Sequence, residues 1–376
     1  MLLFAGTGID GVRGLSLAAL DELKKCDTVC VERFTSYLSD RDLEELRNML
    51  DKQPELVARW YVEDGREILE RAKNGSVALI TYGDPLIATT HSELRTRAAA
   101  RGIPTRIMHS ASGISALIGE TGLQYYRFGR TSTVMADPHS AISVYEKIRE
   151  NILSGSHSLV LLEYNNNSGP DAPPGSSESH FLEPRVAFGM LEQVEKDQEL
   201  GLILPRTFVI VASRIGSRDQ RILSGPLERV MSAEFGEGPH SIIIPASLHF
   251  TELEYIEQFS ECLGPASDNG LALRTVSERM MSRYAPKAKS AVRQMRGYIT
   301  AHAADTASRR GVFEVLDNAE YYILDAERFL NQHKPELAVL SIGYAEGLID
   351  ALRYQWGINP WEHNGDGSPP DRKDPA

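Results

Sequence analysis

Apolar and polar positions follow two different rhythms along the first 264 residues. Short apolar runs bounded by Gly, Pro, Asn or Asp recur at residues 2–5, 28–32, 77–81, 105–109, 158–163, 208–212 and 241–245. Runs of that length between turn formers predict buried strands. Between them, apolar residues return every three or four positions, predicting helices over 17–25, 40–49, 66–73, 93–100, 114–121, 140–152, 184–199 and 250–262. Ser16 is placed to cap the first of these, Asp40 stands at the start of the second, and Asn74-Gly75 stops the third. Strand–helix alternation predicts a mostly parallel sheet in an N-terminal α/β domain over 1–106, with a second α/β domain over 107–264.

After a Gly- and Pro-containing linker at 265–270 the strand signals stop. Helices are expected over 273–301, 312–332 and 335–354, making a helical domain over 271–360. In the second of these, Phe313, Leu316, Ile323 and Leu330 keep helical spacing, and Pro335 suits the first turn of the third. Residues 361–376 are Gly, Pro and charge, the composition of a disordered tail. Residues 165–177 have loop chemistry at nearly every position directly after an expected ligand-side strand. A lid and a solvated insertion both account for them.

The formal net charge is −12, which argues against generic nucleic-acid binding. Against that background, nine basic residues stand between 274 and 310 beside two acidic ones, Glu278 and Asp305. A solvated helix face accounts for them; so does a surface for ribosomal RNA or an acidic protein. The three cysteines, Cys26, Cys30 and Cys262, make no disulfide framework and suit a reducing cytosol. No Cys/His pair near Cys26 and Cys30 supports a metal site. No apolar run approaches the roughly 18 residues of a membrane span, and Met1 leads directly into a strand without a secretory signal. A cytoplasmic protein is expected.

The strand at 77–81 runs into Gly83-Asp84-Pro85-Leu86-Ile87-Ala88-Thr89-Thr90-His91. Gly83 and Pro85 make a tight turn at the carboxyl end of a strand, where α/β sheets bind ligands, and Thr89 or Thr90 is placed to cap the next helix. Gly6-Thr7-Gly8-Ile9-Asp10-Gly11 fits a dinucleotide-binding pattern, with Glu32 near the position of a ribose-binding carboxylate. In a dinucleotide fold, however, the helix begins within the glycine loop. Here Val12-Arg13-Gly14 intervenes, so the loop is too long for a helix N-terminus to meet a pyrophosphate.

Taken with His109-Ser110-Ala111-Ser112-Gly113-Ile114, Thr121-Gly122-Leu123-Gln124, Val211-Ala212-Ser213-Arg214 and Pro239-His240-Ser241, these motifs over residues 1–264 resemble the diphthine synthase family. The resemblance implies an α/β, two-domain, tetrapyrrole-methylase-like (class III) methyltransferase with a C-terminal α-helical domain. It implies S-adenosyl-L-methionine as cofactor, bound between the two α/β domains. Ile9, Asp84, Ile87, Ser112, Gly113, Leu162, Ser213 and His240 stand at the family's cofactor-contact positions. Gly113 and Leu162-Glu163-Tyr164 depart from the usual family residues, so the contact at Gly113 falls to its backbone. The implied acceptor is the amine of a 3-amino-3-carboxypropyl-histidine on translation elongation factor 2, with a homodimer as the usual assembly. The residues single out no catalytic base: Asp84, His91, Glu163 and water all qualify. Arg95, Arg127 and Arg214 are candidates to read the acceptor's carboxylate. A tetrapyrrole methyltransferase of the same superfamily, or an inactive elongation-factor-binding protein, are the alternatives. The segment from Asp317 to Gly357 resembles a small archaeal helical domain of unknown function, which implies an archaeal source and a gene fusion.

Overall fold

All five residues of β1 (Leu2–Gly6) are buried, because helices cover both faces of its sheet. Successive side chains leave opposite faces. Leu3 and Ala5 therefore enter one apolar cluster, Leu2 and Phe4 the other. The computed structural model describes residues 1–166, 179–265, 275–302, 306–332 and 334–361. The chain divides into two units, Met1–Asp197 with Leu202–Leu271, and Ala272–Ala376 with Gln198–Gly201.

In the first unit, α1 (Leu17–Lys25) starts at Ser16, whose hydroxyl accepts from the Ala19 amide at 3.1 Å. After β2 (Thr28–Glu32), α2 (Asp40–Leu50) starts at Asp40 as expected and is capped by Ser39, which forms a reciprocal capping box with Asp42. Then come β3 (Glu55–Val57), α3 (Arg59–Asp64), α4 (Arg66–Asn74), β4 (Val77–Thr81), α5 (His91–Ala100) and β5 (Thr105–Met108). The five strands lie in the order β3-β2-β4-β1-β5, every pair parallel. Neither Thr89 nor Thr90 caps α5: Thr90 makes no cap hydrogen bond, and the Thr89 hydroxyl donates to the Pro85 carbonyl at 2.8 Å.

The chain continues through α6 (Gly113–Thr121), β6 (Ser132–Val134), α7 (Pro138–Leu153), β7 (Ser158–Leu162), β8 (Tyr164–Asn166), β9 (Ser179–Phe181), α8 (Pro184–Gln198), β10 (Phe208–Ser213), β11 (Arg221–Pro226), α9 (Leu227–Val230), β12 (His240–Ile244), α10 (Phe250–Phe259) and β13 (Glu261–Cys262). The second sheet, β13-β11-β10-β12-β7-β6, is mixed, with β7, β12, β10 and β11 antiparallel in turn. α10 ends at Phe259, short of the expected Cys262. The Ser260 hydroxyl turns back onto the Ile256 carbonyl, and Cys262 joins the sheet edge beside Ser224. Residues 165–166 belong to β8; the rest of the expected 165–177 loop, residues 266–270 of the linker and the tail beyond Trp361 lie outside the described residues.

The second unit contains α11 (Val276–His302), α12 (Thr306–Asn331) and α13 (Pro335–Trp356). Its core, including Met281, Ala288, Met295, Leu316, Ile323, Ile342 and Ile349, comes from these three helices and the residues just beyond them. Lys289 pairs with Glu327 at 2.6 Å, and Arg296 with Asp317 and Glu320, so part of the basic charge of α11 is neutralised against α12. Arg274 and the Arg309 side chain lie outside the described residues. Among the described residues no helix is long and apolar enough to cross a membrane, and no group of three metal-binding side chains occurs.

The strand ends of the first sheet meet tightly. A Cβ on Gly6 would stand 2.1 Å from the Gly83 carbonyl oxygen and 2.9 Å from Pro85. Backbone cannot give way as a flexible side chain does. We expect Gly6→Ala to lower the melting temperature by on the order of 5 °C or more. Gly119→Ala, where an added Cβ meets nothing within 4 Å, should leave it unchanged or raised. Equal losses in both variants, followed by circular dichroism, would count against the close approach.

Candidate active site

The site is built on the turn after β4. Gly8 and Gly83 exchange two backbone hydrogen bonds, at 3.2 and 2.9 Å, which draw the loops after β1 and β4 together. Both glycines have positive φ, +76° and +73°. Asp84, only 4% exposed, fixes the turn. One carboxylate oxygen accepts from the Leu86 amide at 3.0 Å; the other accepts from the Ser110 amide at 3.2 Å and meets Nδ1 of His109 at 2.8 Å. A single carboxylate thus ties the Gly83–Pro85 turn to the segment leading from β5 into α6.

Beside that turn lies a cavity of about 200 Å³. Six of the eight residues expected from the family resemblance line it: Asp84, Ile87, Ser112, Gly113, Leu162 and His240. Gly113 opens α6, where a Cβ would meet nothing within 4 Å, so its backbone faces free space. Ser112 caps that helix, its hydroxyl accepting from the Ile114 amide. Two expected residues stand elsewhere. Ile9 lines an adjoining polar cleft and packs against Gly216. Ser213 is buried behind the wall, its hydroxyl 2.8 Å from Nδ1 of His240, and so acts as that ring's support. The backbone of Gly236 also hydrogen-bonds the ring, which is therefore committed within the protein.

Sequence reasoning missed part of the wall. Thr35 and Ser36 come from the loop after β2, Tyr82 from the end of β4, and Tyr164 and Phe181 from the β8–β9 hairpin, their rings stacked 4.6 Å apart. None carries a local motif; tertiary packing alone assembles them. Glu32 is not open to a ribose. It is 1% exposed, accepts from the Phe34 and Thr35 amides at 2.8 and 2.9 Å, and receives the Thr81 hydroxyl. Its work is to hold the Thr35 loop against the cavity.

The proton-acceptor candidates also separate. His91 is buried away from the cavity, its Nδ1 hydrogen-bonded to the Pro85 carbonyl. Glu163 accepts from the Ala136 amide and does not line the wall. Tyr82 donates to the Ile9 carbonyl at 2.8 Å, and burial, with Asp42 and Asp10 adding to it, pushes its phenol up to about 12. It stays protonated at neutral pH. Of the three candidate cations, Arg127 is held by Glu252 at 2.7 Å, and Arg95 reaches the Thr105 hydroxyl at 3.4 Å. Arg214 does line the cavity, but its guanidinium holds the carbonyls of Asp219, Phe235 and Glu237 and the Asp219 carboxylate. It sits at φ +51°, a strained conformation for an arginine, and these bonds hold it there.

Strand ends and glycine turns around one partly apolar cavity make a small-molecule binding site. Residues 1–231 match the family model for tetrapyrrole (corrin/porphyrin) methylases, and residues 283–356 match that of a protein of unknown function (DUF357). The chain belongs to the tetrapyrrole methylase family and is a methyltransferase. Within that family its relatives are diphthine synthases. That of Methanothermobacter thermautotrophicus is 32% identical over 283 residues, covering 75% of this chain and all of the relative. That of Methanospirillum hungatei is 35% identical over 266 residues, covering 69% and 98%. A crystal structure of diphthine synthase superposes with a TM-score of 0.59 at 29% identity, covering 69% of this chain and 96% of the other. A conserved hypothetical protein from Aeropyrum pernix K1 gives 0.62 at 28% identity, covering 75% and 96%. The chain is thereby placed with the methyltransferases of diphthamide biosynthesis.

Burial, reinforced by the Arg214 charge, pushes the His240 imidazole down to about 4. The unfolded chain takes up this proton near pH 6.5, the folded chain only near pH 4. The stability that the neutral ring contributes is therefore complete above about pH 6.5 and is lost as pH falls from 6.5 to 4, on the order of 3 kcal/mol in all. His240→Asn should flatten the fall in melting temperature across that window. Parallel wild-type and variant curves would contradict the assignment.

Proposed function

We propose that this methyltransferase takes its methyl group from S-adenosylmethionine and transfers it to the amine of the 3-amino-3-carboxypropyl-histidine precursor on translation elongation factor 2. We further propose that it does so in the cytoplasm as a homodimer. The observation that carries this reading is the gathering of six family-motif positions, from four separate segments, around one cavity.

The residues present suit the cofactor. Ile87, Leu162, Ile114 and Leu117 supply apolar wall; Gly113 leaves its backbone uncovered; Asp84 and Ser112 supply oxygens. S-adenosylmethionine brings an already activated methyl: the acceptor nitrogen's lone pair forms the new N–C bond, and the C–S pair returns to sulfur. The protein's part is alignment and exclusion of water, with no metal or nucleophilic residue needed. We assign the amine's proton to water: Glu163 and His91 do not line the cavity, and the Asp84 carboxylate, which does, is engaged by the Leu86 and Ser110 amides and His109.

Two changes test the cradle. Asp84→Ala should weaken cofactor binding about tenfold or more, because it removes the carboxylate and the order of the turn together. Gly113→Ala should weaken it without lowering the melting temperature, since its methyl enters only the space that the ligand needs. Unchanged affinity by calorimetry in both would remove the cradle. The function itself is tested by intact-mass spectrometry of precursor-bearing elongation factor 2 incubated with protein and cofactor. Mass gains in methyl units are expected, vanishing when the target histidine is replaced. Cofactor binding without any gain would point to another acceptor, including a tetrapyrrole.

A further inference from the structure

The cavity adjoins a second, more polar cleft of about 510 Å³, and Tyr82, Arg214 and Pro239 line both. Most charged groups in this cleft are already spent. Arg13 holds Glu45 at 2.8 Å, Asp42 is bound into the Ser39 capping box, and Asp219 holds Arg214 at 2.7 Å. Among the described residues, Arg41 and Arg218 have no hydrogen-bond or ion-pair partner, and neither do the Asp10 and Glu237 carboxylates. Arg41 comes from the first turn of α2 and Arg218 from the turn between β10 and β11, so the two cations reach one cleft from different sheets. Asp10 stands on the loop after β1, near enough to the shared wall for its charge to act on Tyr82. Arg47, Arg206 and Arg283 are likewise without a partner among the described residues; what sets Arg41 and Arg218 apart is that both line one cleft beside the first cavity.

We propose that this cleft is the acceptor subsite, that Arg41 and Arg218 hold the acceptor's carboxylate there, and that Asp10 faces its amine. The proposal rests on the methyl-transfer reading above and adds to it the residues that select the acceptor. A recess with two free cations and two free carboxylates, Asp10 and Glu237, fits an end group carrying both an anion and an ammonium, the zwitterionic end of an amino acid. Two guanidinium groups around one carboxylate set its position. The nitrogen on the neighbouring carbon is then directed toward the wall shared with the donor cavity. Arg214 sits on that wall but is occupied by backbone carbonyls, so it shapes the junction and leaves the reading of the acceptor to the other two arginines.

The test uses the full-length protein and precursor-bearing elongation factor 2, in its native form and with the precursor carboxylate converted to an amide. Arg41→Ala and Arg218→Ala should each lower kcat/KM for the native acceptor about tenfold, mainly through KM, and the pair together by more. Cofactor affinity by calorimetry and the melting temperature should stay as in wild type, and Arg218→Lys should recover part of the loss. The amide acceptor should be poor with wild type and made no poorer by the substitutions. Equal losses on both acceptors would mean that the arginines only attract the partner protein, and would overturn the contact with the carboxylate. So would full activity in the double variant while the wild type methylates normally; the methyl-transfer reading would then stand alone. A wild type that binds cofactor but methylates neither acceptor would overturn both.

Discussion

The site depends on how closely three pieces of backbone approach one another. The ends of β1 and β4 come so near that Gly6 has no room for a single carbon, and Gly8 and Gly83 bond each other through their main chains. Asp84 then fastens this junction to His109 and Ser110, which lead into α6. Everything on the cavity wall is placed relative to that knot. Side chains with rotamer freedom could not fix two loops so well; backbone hydrogen bonds and a buried carboxylate can, because neither has an alternative partner in a dry interior.

Buried acids recur as braces. Glu32 collects two amides and a hydroxyl, and Glu195 the Leu202 and Ile203 amides with the Tyr145 hydroxyl. Glu252 gathers the Gln124 and His249 amides, Arg127 and His157. Burial opposes the ionisation of Glu252, but those donors outweigh it and hold its pKa below the usual value. The Ala246 amide donates to Nδ1 of His157, so Nε2 carries the proton toward Glu252. These carboxylates have the burial often associated with catalytic acids, yet their bonds order loops. The distinction lies in where the lone pairs go: toward backbone amides rather than into a cleft.

The sequence rendered the long apolar strands and the amphipathic helices legible, because burial on two faces leaves a continuous apolar run and burial on one leaves a period of 3.6. It did not show β3, β6 or β13, which have two or three residues each, too few for a rhythm. β11 contains Ser224, Gly225 and Pro226 and resembles a turn until Ala212 and Ser213 are seen pairing with it. In the site, glycine turns and strand ends announced themselves locally. Ile9 and Ser213 were placed with the cavity by motif, yet one faces the neighbouring cleft and the other supports a histidine from behind. Tyr82, Phe181, Arg41 and Arg218 carry no local signature, since only the approach of distant segments gives them a role.

The helical unit buries its apolar side chains among its own three helices and the residues that follow. A core that is complete within one segment can be lost without the other core being lost, so the chain is not a two-state object. Heat should melt it in two steps, the melting temperatures of the Gly6, Gly113 and His240 variants being those of the α/β unit's transition. Ligand binding makes the two steps separable: a molecule held in the α/β cleft raises the temperature of one transition and leaves the other where it was. Calorimetric scans with and without cofactor therefore label each transition with the unit that it belongs to.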